Sequence, residues 1–598
     1  MQSPSPTSKL HRWPLLLAVV FAALLATTPL YTDDAGFHVA TGRWIRTFGQ
    51  VPDHNPFSYA QDGEHWVQHQ WLPAVAMSWL ADHFGALGLV WAKIALVAST
   101  FAAGAWALTR TSLPVLPGLS LLVVAAAVSA FRFLERPFLV SVLALAVVSG
   151  AVAAARQGTQ RWLWLAAVVP AVAVQMHAGG LDGLLVWAAL LAGTVLEMWL
   201  RPLPAILPPR KVFLAFGVLV VLVVGGLFAF APAGLQVLAL PIRFSANSYW
   251  HEHLAEFRPL RWDAASALPW LGVAVMAASA LRGVQQRLLV EAFVLLGFAL
   301  LASRHVRMVW PMWAAGLPMV ARVWQDWPGW QRRAVPLVTA GVALVVGGLG
   351  LQEQQQRFGL GLHDRTGIRA GLAEQRFALP MLQLAAQLPG EALVSDGLAG
   401  TWLWQIWQPQ SPKQHRVLVH NCLECYKEST YVQVYQPLRY GEPGWQQTLQ
   451  RYGIRTAALK FTTPGERRFQ NGAPNLRQHL FASPQHVLVD FDDVAAVYTE
   501  AAGIPADVSV LTDWPVDPDS GQLRPGAEVA TALTALATHA ANHPHVSRSL
   551  WLQGKLLIQL GQLPQAAEVA QELLRRNPDG PETASLLAQL QRRMGTMP

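Results

Sequence analysis

The adjacent carboxylates Asp33 and Asp34 stand directly after an apolar stretch that runs from Trp13 to Leu30. Two carboxylates side by side at a membrane surface repel each other unless a cation, a shared proton or an arginine offsets the charge. His38 follows four residues after Asp34, which puts both side chains on one face if the segment is helical. A general base, or a mixed oxygen and nitrogen ligand set for a divalent cation, could be built from Asp33, Asp34 and His38. The plainer alternative is a helix N-cap preceded by Thr32, a role that needs one carboxylate and not two.

The elements that position these residues follow from composition. Of the 598 residues, 53% are hydrophobic and 13% charged, where soluble domains carry about 25% charged residues. The shortfall lies in the first 351 residues. Apolar runs of about 17–25 residues recur there, long enough to cross a bilayer core of ~30 Å. They predict a polytopic α-helical membrane protein of about eleven spans. The spans lie near 13–30, 86–108, 115–131, 137–155, 162–176, 181–200, 212–232, 265–281, 288–302, 306–322 and 334–351. The first is read as an uncleaved anchor and not a signal peptide, because ATTPLYTDD lacks an A-x-A site. The net charge of +8 does not point to nucleic acid, since the arginines sit in short loops and form no basic stripe.

Those loops set an orientation. With Lys9 and Arg12 inside, alternation places Arg110, Arg156, Arg161, Arg201, Arg210, Lys211, Arg282, Arg287, Arg332 and Arg333 in short basic cytoplasmic loops. The opposite loops mix acids, histidines and arginines. They hold Asp33, Asp34 and His38; Arg132, Glu135 and Arg136; His177 and Asp182; His251, Glu252, His253, Glu256, Arg258 and Arg261; and Arg304, His305 and Arg307. Ionisable groups that recur on one membrane face are functional candidates. Plainer roles exist for each: Arg132 and Arg136 as headgroup anchors, His177 as a packed histidine, Arg304 and Arg307 as helix-end charges.

The first loop also carries a resemblance. Asp34-Ala-Gly-Phe37-His38, Gly42, Trp44-Ile45, the run Val51 to Tyr59 (VPDHNPFSY) and the ending Trp66-Val-Gln-His69-Gln-Trp71-Leu72 resemble the GT-C superfamily of integral-membrane glycosyltransferases, in particular its bacterial multi-span members. Arg136-Pro137, His177-Ala-Gly-Gly180 and Arg304-His-Val-Arg307 fit the same pattern over roughly residues 13–500. Many relatives carry glutamate or tryptophan where this chain has His69-Gln70. The resemblance implies a polyprenyl phosphate or pyrophosphate sugar donor entering from the bilayer. Arg136, Arg304 and Arg307 are then the expected phosphate ligands, with His177 and Glu256 beside them, because Arg meets phosphate with a bidentate fork. Asp34 is the expected base for the acceptor hydroxyl, with Asp33 second and His38 orienting it or sharing a divalent cation with it.

From about Gln352 the composition turns polar. Strand-like segments at 392–395, 416–419, 456–459 and 495–498, with helices at 377–388 and 444–452, predict an extracytoplasmic α/β domain over 352–501. Cys422 and Cys425 are the only cysteines; in an exported domain a C-x-x-C pair reads first as a local disulfide, with zinc binding alongside His420, redox chemistry and free thiols as alternatives. Residues 502–525 read as a linker. The tail 526–598 fits the tetratricopeptide pattern, with helices near 526–543, 547–560, 563–576 and 580–594 and Pro544 one repeat before Pro578. It could recruit a protein partner or cap the α/β domain.

Two functional readings follow for a bacterial inner-membrane protein with a cytoplasmic N-terminus and a large first external loop over 31–85. One is a membrane glycosyltransferase acting at the extracytoplasmic face. The other is a non-catalytic component of a polysaccharide or envelope assembly system. A transporter fits less well, because the ionisable groups cluster at the membrane edge and not at mid-span.

Overall fold

The computed structural model describes residues 13–60, 65–200, 206–246, 254–263, 266–358, 363–364, 367–368, 377–422, 425–426, 428–461, 474–578 and 580–595. Lys9, Arg12, Arg201, His251, Glu252 and His253 lie outside them. The chain forms two compact units. The first comprises Met1–Asp53 and Trp66–Leu372, the second His54–His65 and Ala373–Pro598. The stretch 31–85 is thus divided between the units, and the C-terminal tail groups with the α/β segment.

The first unit is helical. Its helices are α1 (Leu15–Leu25), α2 (Asp34–Phe48), α3 (Trp71–Leu108), α4 (Val115–Ser129), α5 (Phe138–Arg156), α6 (Trp162–Ala173), α7 (Asp182–Leu200), α8 (Pro209–Phe230), α9 (Leu240–Ala246), α10 (Ala267–Gln285), α11 (Leu289–Arg304), α12 (Val309–Trp324) and α13 (Ala334–Phe358). Each of the eleven expected apolar stretches lies on one of them. Among the described residues, seven helices are long and apolar enough to cross a membrane. One of these, α3, runs for 38 residues and breaks at Gly85, whose φ of 61° and ψ of −155° interrupt the helix where the sequence places the start of a span.

The stretch 31–85 read from sequence as a loop is therefore mostly helix. Gly42 is the reason α2 lies so close on α3. A Cβ there would stand 2.0 Å from the Ala74 carbonyl oxygen and 2.6 Å from Ser78 Oγ, so any larger residue would push the helices apart. Arg43 and Arg46 of α2 both bind the Asp82 carboxylate of α3 at 2.7 Å. At the opposite end of the unit's sequence, Gln354 Nε2 of α13 donates to the carbonyls of Leu25 at 3.0 Å and Ala130 at 3.1 Å. It thereby satisfies carbonyls at the ends of α1 and α4.

The second unit is built on a four-stranded mixed sheet of β1 (Glu391–Val394), β2 (Ile454–Lys460), β3 (His486–Phe491) and β4 (Ala495–Glu500), in the order β1-β2-β4-β3. β1 and β2 run parallel and the other pairs antiparallel. The expected strand at 416–419 is a single bridge, Val417 to Ser58. Its hydrogen bonds go to the inserted loop segment instead: Val417 N donates to the Phe57 carbonyl at 2.9 Å, and Ser58 Oγ to the Leu418 carbonyl at 2.7 Å. Cys422 and Cys425 are joined by a disulfide, their Cα atoms 5.4 Å apart. His420 beside them hydrogen-bonds Asn55 Oδ1 through Nε2 at 3.2 Å and accepts from the Cys422 N–H at 3.2 Å.

Four helices close the chain: α19 (Val529–Asn542), α20 (Arg548–Gln559), α21 (Leu563–Arg576) and α22 (Pro581–Met594), counting α14 (Leu379–Ala385), α15 (Asp396–Gln405), α16 (Gln436–Tyr440), α17 (Trp445–Tyr452) and α18 (Leu476–Ala482) before them. Leu557, Ala566, Ala570, Leu573 and Leu586 form their buried seam. The expected linker at 502–525 is anchored: the Leu511 N–H donates to the Leu488 carbonyl of β3 at 3.0 Å.

Candidate functional site

Asp33 and Asp34 open α2, Asp33 at the N-cap position with its side chain making no capping bond to the helix. Asp34 Oδ2 instead meets Arg136 Nη2 at 2.8 Å. Of the three ways to relieve the carboxylate pair, the chain uses an arginine at this position. Arg136 reaches on to Glu256 at 3.2 Å, and Arg132 binds the same Glu256 oxygen at 2.9 Å. Three loops distant in sequence thus share one ion-pair chain.

The turn between α4 and α5 is set by local chemistry and by a buried brace. Pro137, whose ring fixes φ, occupies the N-cap of α5 and has no N–H to leave unsatisfied there. Next to it Glu135 is held by Lys93 of α3 at 2.5 Å, both side chains 1% exposed. Lys93 Nζ also donates to the carbonyl and hydroxyl of Thr28, at 2.8 and 2.7 Å. The segment that follows α1, the middle of α3 and the α4–α5 turn, which carries Arg136 next to Glu135, are therefore tied together.

Histidines line the same site. His177 is extended at the start of a short 3-10 turn, and its Nδ1 accepts from the Gly179 N–H at 2.9 Å with Ser141 Oγ at 2.8 Å. A Cβ at Gly179 would lie 2.8 Å from that nitrogen, so the bond needs glycine. The His69 and His177 rings are 5.4 Å apart, and Phe37 packs between His38 at 5.1 Å and Trp66 at 5.6 Å. His38 Nδ1 is buried with no hydrogen-bond partner among the described residues. Arg307, with its guanidinium 4.1 Å above the Phe257 ring, comes from the turn between α11 and α12.

The electrostatics separate into neutral imidazoles and charged pairs. Burial, with Arg136 and His69 adding to it, pushes His38 down to about 3. Burial takes His69 down to about 4 and His177 well below its usual range, with His69, Arg307 and His38 contributing. Burial opposes the charge on Glu256, but Arg132, Arg136 and Arg307 outweigh it and hold the carboxyl at about 2. Burial likewise disfavours the Arg136 cation, yet Asp34 and Glu256 raise its pKa. At neutral pH the site therefore presents uncharged imidazoles beside ionised carboxylates and guanidinium groups.

Of the residues singled out in the sequence, Asp34, His38, Arg136, His177, Glu256 and Arg307 meet here. Arg304 is exposed at the last turn of α11, and Arg307 is the arginine of that pair within reach of Glu256 and Asp182. His69 and Asp182 were passed over as site residues although they join the same field; the signal for His69 was its place in the Trp66 to Leu72 ending. Asp33, Asp34 and His38, which the sequence offered as one option for a divalent cation, are not among the ligand groups that come together. Among the described residues, the one group of three histidine or carboxylate ligand atoms within 4.8 Å of one another lies in the second unit. Asp34 is engaged with an arginine.

No protein-family model and no curated protein sequence matches the chain. A search of solved structures finds similarity to the apo form of an oligosaccharyltransferase from the archaeon Archaeoglobus fulgidus, at 11% identity and a TM-score of 0.49, over 84% of this chain and 76% of that one.

Proposed function

We propose that the chain is a membrane glycosyltransferase of GT-C type that takes a sugar from a polyprenyl phosphate or pyrophosphate donor. The observation that carries the reading is the Asp34–Arg136 ion pair inside a group of three arginines that all come from loops between apolar helices. An anionic headgroup on an apolar tail needs that combination of a membrane groove and cationic clamps. Arrival of the phosphate would draw Arg136 away from Asp34. The freed carboxylate would then accept the proton of the acceptor hydroxyl as its oxygen bonds the anomeric carbon. The bond from that carbon to the phosphate oxygen breaks, and Arg132, Arg136 and Arg307 receive the departing charge. His38, uncharged and with Nδ1 open, would orient the acceptor or the Asp34 carboxyl.

In this reading the loops that hold Arg110, Arg161, Arg210 and Lys211 face the cytoplasm, and the site and the second unit face the exterior of a bacterial inner membrane. The second unit would hold the acceptor, and its C-terminal helices a protein partner. One observation favours the alternative of a non-catalytic assembly component: Asp34 and Glu256 are already satisfied by arginines without a ligand. Native mass spectrometry of the protein extracted gently from its own membrane, followed by transfer assays with any co-purifying polyprenyl lipid, separates the two. Lipid retained by both wild type and Asp34→Asn, with transfer only by wild type, supports the enzyme. Ordinary phospholipid alone in both samples favours the assembly component.

A further inference from the structure

In the second unit, Asp490 of β3 faces His539 in the last turn of α19 and His543 at its C-cap. His539 Nε2 is 3.0 Å from Asp490 Oδ1, and His543 Nε2 is 4.0 Å from Asp490 Oδ2. His543 follows His539 by four residues, just past the helix end, and the two rings stack with centroids 4.3 Å apart. The register of β3 against β4 shifts between Leu488 and Asp490, and such irregularities re-aim the following side chain. One ligand atom from each of the three residues lies within 4.8 Å of the others.

We infer that Asp490, His539 and His543 bind a borderline divalent cation, zinc above all, which clamps the C-terminal helices to the sheet. Two imidazoles and a carboxylate are the donor set such ions favour over calcium or magnesium. A tetrahedral ion with bonds of about 2.1 Å needs ligand atoms about 3.4 Å apart; each histidine Nε2 lies within 3.0–4.0 Å of one of the two Asp490 oxygens, His539 of Oδ1 and His543 of Oδ2, so small side-chain rotations would bring one oxygen and both nitrogens to that spacing. His539 is also held as metal-bound histidines are. Its far nitrogen, Nδ1, lies 2.8 Å from Ser549 Oγ of α20. Phe491 stacks on its ring at 4.2 Å and 4°, and Trp514 meets its edge at 5.6 Å. Such partners fix the tautomer and ring direction so that Nε2 points at the ion. His543 and Asp490 are only half-buried, which gives the ion a route in and leaves a fourth position for water. The ion would join a strand to a helix that lies some fifty residues further along, beyond the segment 502–525 read from sequence as a linker.

The test uses the full chain in detergent, stripped with a chelator and desalted, and titrated with zinc. The wild type should bind one zinc that His543→Gln and Asp490→Asn each lose, with the dissociation constant raised at least about 10-fold and the far-ultraviolet circular dichroism unchanged. Ser549→Ala should weaken the same site about 10- to 100-fold while leaving one site present. Cobalt should give a visible ligand-field band in the wild type that both ligand variants lack. Equal zinc stoichiometry and affinity in the wild type and both ligand variants, or a folded wild type that binds no zinc, overturns the proposal and leaves a plain histidine–aspartate hydrogen bond.

Discussion

The first unit holds two ionic clusters of similar residue content and opposite character. One joins Asp34, Arg132, Arg136 and Glu256 across loops and helix starts, with side chains 10–28% exposed. The other joins Arg156 of α5, Glu197 of α7, Glu291 of α11 and Arg322 of α12, with side chains 0–8% exposed. Arg156 alone gives four hydrogen bonds to its two glutamates, at 2.7–3.2 Å. Glu197 also accepts the Leu289 N–H at 3.0 Å, and Arg322 pairs with Glu291. The second cluster is balanced, two cations against two anions, and sealed by helices. The first is half-open, is lined by uncharged histidines, and includes Arg307 within electrostatic reach of Glu256. A sealed cluster can only hold helices together, whereas an open one has somewhere for a ligand to go.

That contrast predicts opposite phenotypes for similar substitutions. Asp34→Asn should lower transfer by about 10²- to 10⁴-fold, the usual worth of a general base, with thermal stability nearly unchanged because Arg136 keeps Glu256. A variant with near-normal turnover would remove Asp34 from that role. Glu291→Gln should do the reverse. It leaves two guanidinium groups short of a buried partner and should cost about 3–5 kcal/mol of stability, read as loss of the monodisperse peak after detergent extraction. If Glu291→Gln extracted and melted like the wild type, the sealed cluster would not be a staple. Arg307→Ala should fall between them. It removes one charge-assisted contact worth about 1.5–3 kcal/mol from donor binding, and donor titration should show the affinity drop while the unfolding midpoint moves little. Unchanged affinity would return Arg307 to a helix-end charge.

The two clusters were also unequally legible in the sequence. The open one could be anticipated because its members sit in loops, where alternation along the chain assigns each to the same side of the membrane. Arg156, which the same rule assigns to a cytoplasmic loop as a surface charge, is 3% exposed in the last turn of α5 and pairs with Glu197 and Glu291. Glu197, Glu291 and Arg322 interrupt apolar runs, a signal that was present but was outweighed by the runs themselves. The helices of the tail followed from the tetratricopeptide-like spacing of their small residues and prolines. β3, with its sequence HVLVDF, was passed over, and the strand expected at 416–419 pairs instead with a segment more than 350 residues earlier, a partner that no local pattern reveals. The Asp490, His539 and His543 group has the same origin, since a strand and a helix bring together residues whose spacing carries no motif.

The smallest expected effect concerns the uncharged state of the open site. His38 titrates at about 3 and His69 at about 4 in the folded protein, below the ~6.5 of an unfolded histidine. The unfolded chain therefore binds more protons between these values, and stability rises with pH across that window. The contribution is fully present above about pH 6.5 and is lost as pH falls through the folded values, at about 1.4 kcal/mol per pH unit for each histidine. His38→Gln keeps a polar side chain but cannot titrate. Its unfolding midpoint should fall less steeply than the wild type's between pH 7 and pH 5, a range in which Glu256 stays ionised and any titration of Asp182 is common to both proteins. Parallel slopes would mean that His38 takes up a proton without leaving the fold. The site would then carry a cation beside Arg136 in acid, where an anionic headgroup would bind it more tightly, and the difference between the two clusters would widen as pH falls.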